Sequence, residues 1–179
     1  MAAEKHMLRT WCGALLLSAV LPMAIAGPQE DAEQAEKEFA RGNLILAMSM
    51  WRKAAGQGYA PAQARLGDIL DKSEEDEEAV SWYRKAAAQN NPAGEYGLGQ
   101  MYSKGEGVKQ DFAQARSYIE RAAQNNYLPA VILMMEMHKN GGMGAARDPA
   151  QAAKWETKVK ELSPKEAGKE LAKEAVKSK

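Results

Sequence analysis

The side chains best equipped for chemistry in this 179-residue sequence gather in one stretch, "MMEMHKNGGM" at Met134–Met143. Thioether sulfur and imidazole nitrogen are soft donors that suit cuprous copper. Met134, Met137 and His138 are the ligands such a site would use. The same methionines also fall at helical spacing, where a flexible thioether fills gaps in a core. Nucleophilic catalysis has less to draw on, because it needs a nucleophile, a base and a charge stabiliser held together. Beyond residue 26 the sequence holds one histidine, His138, and no cysteine, and no Ser-His-Asp set is legible. "GLGQMY" at Gly97–Tyr102 lacks the third glycine of a dinucleotide fingerprint and follows no strand; no Gly-Lys-Ser/Thr occurs. No catalytic residue and no cofactor are therefore assigned.

The elements that would position these groups begin after a leader. "MAAEKHMLR" carries Lys5 and Arg9, and Trp11–Ala26 is an uncharged, mostly apolar run ending in Ala24-Ile25-Ala26. Charge, apolar core and small-x-small exit make residues 1–26 a secretory signal peptide, cut after Ala26. The run is short for a membrane span, so no stable span is expected once it is cut. Cys12, the single cysteine, leaves with it. An exported chain without disulfides must hold together by packing, which fits a periplasmic or secreted protein. Acids and bases balance at 24 each, so no nucleic-acid partner is expected.

The rest of the sequence repeats. "AMSMWRKAA" from Ala47, "AVSWYRKAA" from Ala79, "ARSYIERAA" from Ala115 and "AAKWETKVK" from Ala152 align. Alanine holds the first place, Met50, Trp82, Tyr118 and Trp155 the fourth, and Ala54, Ala86, Ala122 and Val159 the eighth. Offsets of three, four and seven share one helix face. A second pattern follows: "GYAPAQARLGDIL", "NNPAGEYGLGQMY" and "NYLPAVILMMEMH" bring Leu66, Leu98 and Met134 together, and likewise Ile69, Met101 and Met137. Gly67 and Gly99 correspond, and His138 takes the place of Tyr102. Each unit reads as helix, turn, helix, in about four pairs, so the fold class is all-α. Asp31–Arg41 reads as the first helix, partnered by Leu44–Gln57.

Glycine inside a helix costs about 1 kcal/mol relative to alanine. Here it predicts close approach of a neighbouring helix. Gly105 and Gly107 can take positive φ and reverse the chain. With one inserted residue, Gly142 and Gly144 match them, and Asp111 and Asp148 stand as N-caps of the following helices. The acidic run Ser73–Glu78 reads as a solvated helix start, or as a contact for a basic partner. "SPKE" at Ser163–Glu166 is a capping box that opens a final helix. The organisation is then signal peptide 1–26, repeat solenoid 27–162, and C-terminal capping helix or tail 163–179.

The string "PAGEYGLGQMYSKGEGVKQDFAQARSYIERAA" resembles the Sel-one-like repeat, a relative of the tetratricopeptide repeat. The resemblance rests on Gly94, Leu98-Gly99, Tyr102, Gly105-Glu106-Gly107-Val108, Asp111, Ala115, Tyr118 and Ala122-Ala123, and covers about residues 43–160. It implies a right-handed superhelix of antiparallel helix pairs that binds a protein or peptide partner on its concave face, as an adaptor without catalytic activity. Gln63, Arg65, Asp68, Glu95, Tyr96 and Gln100 are the residues expected on that face. Leu66, Ile69, Leu98 and Met101 are expected in the core beneath it. Two other readings remain beside it: copper handling through Met134–Met143, and hydrolysis of cell-wall material. Nothing in the sequence sets the oligomeric state. Sequencing the N-terminus of the protein recovered from the periplasm should give Gly27 as the first residue.

Overall fold

The structure is a computed structural model that describes residues 27–163; the expected signal peptide and capping helix lie outside the described residues. Eight helices follow in order: α1 (Pro28–Ala40), α2 (Leu44–Gly56), α3 (Ala60–Lys72), α4 (Asp76–Ala87), α5 (Pro92–Lys104), α6 (Phe112–Gln124), α7 (Leu128–Asn140) and α8 (Pro149–Leu162). They pack as four pairs, α1 with α2 through α7 with α8, and each pair packs on the next. The result is an all-α helical repeat solenoid. Among the described residues the only β feature is an isolated bridge between Gly142 and Ala145. Helix α3 also packs on α5, so the odd-numbered helices form the inner layer.

Local chemistry sets the helix starts. Prolines stand in the first turn of α1, α3, α5, α7 and α8, where the lost N–H has no partner to miss. Asp111 accepts from the N–H groups of Ala113 and Gln114, and Asp148 from that of Gln151, as N-caps should. Those bonds hold the Asp111 carboxyl below its usual range, the Gln114 amide foremost. Helix α1 begins three residues before the expected Asp31, because Pro28 suits a first turn and Glu30 accepts from the Gly27 N–H at 2.9 Å. The acidic run opens α4, whose first turn holds Asp76, Glu77 and Glu78.

The buried stripe of the even helices is not the one expected. Ala47, Ala79, Ala115 and Ala152 are buried, but Met50, Trp82, Tyr118 and Trp155 are only half-buried. Their neighbours Trp51, Tyr83 and Ile119 fill the core instead. Places one, five, eight and nine make the stripe, and the fourth falls on its flank, roughly 60° round the helix from the first. A similar shift occurs on α3, where Leu70 is buried and Ile69 half-buried.

Tyr83 is the wedge of the stack. Its ring lies against Gly67 of α3 and Gly97 of α5; a methyl group at Gly67 would sit 2.5 Å from its Cε1. Its hydroxyl donates to Asp68 Oδ1 at 2.9 Å. Burial, reinforced by the Asp68 charge, pushes the phenol far above its ordinary range, so it remains a donor. Gly99 plays the same part for Ile119 of α6, whose Cγ1 would lie 2.6 Å from an added methyl. Each glycine gives up about 1 kcal/mol of helix propensity. Burying a large apolar side chain returns about 1.5–3 kcal/mol, more than the one glycine that admits Ile119 costs; Tyr83 takes two glycines and adds its hydrogen bond to Asp68.

The glycine loops cover helix starts. Gly105 has φ +82° and caps α5, and Gly107 has φ +62° and lies on the backbone of Asp76 at the start of α4. Gly144 lies likewise beside Phe112 at the start of α6, where the Arg116 guanidinium donates to the Met143 carbonyl. Gly141, not Gly142, is the counterpart of Gly105: its N–H donates to the Met137 carbonyl as that of Gly105 does to Met101. The turn from α3 to α4 is short, with Glu74 at φ +60°. Among the described residues no such loop lies over the start of α2, and Leu44, Ile45 and Leu46 are 54%, 89% and 48% exposed.

Gly97→Ala should lower stability by about 1–3 kcal/mol in urea denaturation despite alanine's better propensity, and should cost less once Tyr83 is alanine. Ile45→Lys should leave stability within about 0.5 kcal/mol.

Candidate functional site

The inner layer of odd helices carries the candidate site. Of the six residues expected on its surface, Arg65, Asp68, Tyr96 and Gln100 are partly exposed there. Gln63 and Glu95 are not: they are 4% and 0% exposed. They occupy one repeat position that points between the helices. The Gln63 amide donates to the Ala55 carbonyl at 3.1 Å and receives the Gln89 amide at 2.9 Å. Glu95 Oε1 lies 2.5 Å from Arg121 Nη2 of α6, and its other oxygen 3.5 Å from Asn125 Nδ2. In the first pair, buried Asp31 holds Lys53 of α2 at 2.8 Å in the same way. Two of the supposed contact residues are therefore ties between helices, because a polar group at that position can be satisfied only by the neighbouring helix.

The surface residues are themselves positioned. Arg65 Nη2 donates to Glu36 Oε2 at 3.2 Å, and its Nε lies 3.1 Å from the other oxygen as an ion pair. Its guanidinium lies 5.1 Å from the ring centres of both Phe39 and Trp51. Asp68 accepts the Tyr83 hydroxyl through one oxygen. Burial raises the Asp68 carboxyl above the usual carboxylate range, opposed by that hydrogen bond and by Arg65 and Lys72. The rings of Tyr96 and Tyr127 are 5.5 Å apart at 57°, a tilted pair of the favoured kind. Gln100 donates its amide to the Tyr96 hydroxyl at 3.1 Å. Burial raises both phenols; the Glu136 charge adds to this at Tyr96 and the Asp68 charge at Tyr127.

Tyr127, Glu136 and Glu36 were missed by the sequence reading. Its own register contained the signal for one of them: Glu136 precedes Met137 as Asp68 precedes Ile69 and Gln100 precedes Met101. Tyr127 caps the start of α7, a place that reads as a turn until the solenoid brings it against α5.

The methionine cluster lies beneath the ring pair, in the core against which Tyr96 and Tyr127 pack. Met134, Met135 and Met137 are 3%, 7% and 4% exposed and pack with Ile119, Val131 and Val159. His138 is half-buried at the helix end, and its carbonyl accepts from Asp148 as that of Tyr102 does from Asp111. The methionines thus take the packing role set by the repeat.

The repeat register, the wedge glycines and the capped loops together define the unit. The sequence profile of the Sel1 repeat matches residues 39–59, 60–91, 92–127 and 136–155. The chain belongs to the Sel1 repeat family. Proteins of this family generally mediate contacts between proteins. Among solved structures, this Sel1 repeat chain resembles c5321, a protective antigen of uropathogenic Escherichia coli with an SLR fold, at 32% identity and a TM-score of 0.71 over 85% of this chain and 34% of that one. A Sel1 repeat protein from Oxalobacter formigenes shares the fold at 23% identity, with a TM-score of 0.68 over 76% of this chain and 57% of that one. An uncharacterised protein of Neisseria meningitidis serogroup B is 27% identical over 49% of this chain and 26% of its own length. The chain therefore spans about a third of c5321 and a quarter of the Neisseria protein.

Arg121→Ala would strand the buried Glu95 and should cost about 2–3 kcal/mol in thermal or urea unfolding, somewhat less than a fully buried pair because the arginine is partly exposed. Glu95→Gln should cost about 1 kcal/mol, since glutamine already fills the same place at Gln63.

Proposed function

We propose that this protein is a non-enzymatic periplasmic adaptor that docks an extended segment of a partner protein on the inner face of α1, α3, α5 and α7. The observation that carries the reading is the set Arg65, Asp68, Tyr96 and Gln100. These side chains are partly exposed on one face, and each is held by a neighbour of its own. Arginine and tyrosine are the residue types that anchor protein interfaces. A side chain already fixed by neighbours loses little freedom on binding, so more of the contact energy appears as affinity. The family supports the protein-binding part of the reading. The periplasmic part rests on the leader at residues 1–26. Among the described residues no helix is long and apolar enough to cross a membrane.

A photo-crosslinking residue in place of Gln100 should capture a partner in intact cells, and one in place of Ser81 on α4 should not. The paired reversal Arg65→Glu with Asp68→Lys should reduce that capture severalfold. Equal crosslinking from positions 81 and 100 would remove the inner face as the docking surface.

A further inference from the structure

The repeat register places Asp68, Gln100 and Glu136 at one position on α3, α5 and α7. Helix α3 packs on α5, and the two carboxylates lie close enough to one pair of rings for the Asp68 charge to act on Tyr127 and the Glu136 charge on Tyr96. Between them stand the two phenol rings of Tyr96 and Tyr127, 5.5 Å apart and half-buried. Gln100 fixes the Tyr96 hydroxyl from the side. Asp68 spends one oxygen on Tyr83, and a carboxylate can accept about four hydrogen bonds, so capacity is left over.

The charges nearest this patch are unequal. Arg65 is engaged by both oxygens of Glu36, and Lys104 is held by Glu106 at 2.8 Å. Lys72 and Asp71 act on Asp68 with opposite sign, and Glu136 acts on Tyr96 against a smaller opposing effect of Lys104. The bases are mostly committed to other acids, while Asp68 and Glu136 face the rings.

We propose that Tyr96, Tyr127, Asp68 and Glu136 form a subsite for a cationic side chain, an arginine or lysine of the docked segment. The inference rests on the reading of the inner face as the docking surface and specifies what that face selects. A guanidinium over an aromatic face is attracted by the ring quadrupole, more strongly where water is partly excluded. A carboxylate beside it offers the paired geometry that arginine favours. An acidic side chain at the same place would meet Asp68 and Glu136 with like charge.

The test uses three acetylated, amidated nine-residue peptides identical except for a central arginine, norleucine or glutamate. Each is titrated into the mature protein while the ring signals of Tyr96 and Tyr127 are followed by NMR. The arginine peptide should bind about tenfold tighter than the norleucine peptide, and its advantage should shrink as salt is raised. Glu136→Gln, at an exposed position that should not disturb folding, and Asp68→Asn should each remove much of that advantage. Equal binding of all three peptides, tighter binding of the glutamate peptide, or an arginine preference untouched by both substitutions would overturn the inference. So would the absence of any shift at the two rings. Crosslinking from position 100 judges the docking surface separately, so the subsite can fail while that surface stands.

Discussion

Everything in this solenoid depends on how closely one helix can lie against the next. Tyr83 enters a space that exists only because Gly67 and Gly97 have no side chains. The ring spans α3 and α5, and its hydroxyl reaches Asp68 on the far side. One side chain thus joins two repeats and fixes an acid on the inner face. The packing that holds the stack and the arrangement of the candidate site have a common physical origin.

Closing the array takes a second device. The glycine loops after α5 and α7 reach the starts of α4 and α6, Gly107 lying on the backbone of Asp76 and Gly144 beside Phe112. The loop after α3 is too short to do this, and an apolar trio stands exposed at the start of α2. The repeats are therefore alike in core and unlike in cover, as expected where each unit contacts only its neighbours.

Polar groups are divided between two tasks by burial. Asp31, Gln63 and Glu95 point inward; the two acids are ion-paired and the amide hydrogen-bonded to the paired or adjoining helix. Asp68, Gln100 and Glu136 sit five residues further along the same helices, or at the equivalent register, and face outward. The two rows differ in chemistry little and in surroundings greatly. Residue type alone would not separate a tie from a contact.

The sequence by itself determined the helices, their pairing, the caps at Asp111 and Asp148, and the glycine positions, because these are local or periodic and repeat at the same spacing. It also placed Met134 and Met137 in register with core positions. Only the tertiary structure decided that Trp51, Tyr83 and Ile119 rather than Met50, Trp82 and Tyr118 fill the core, since adjacent places on a helix differ by the angle at which the partner approaches. It alone withdrew Gln63 and Glu95 from the surface and brought Tyr127 against Tyr96. Burial and ring contact depend on the stacking angle between repeats, and that angle is set by contacts far apart in the chain.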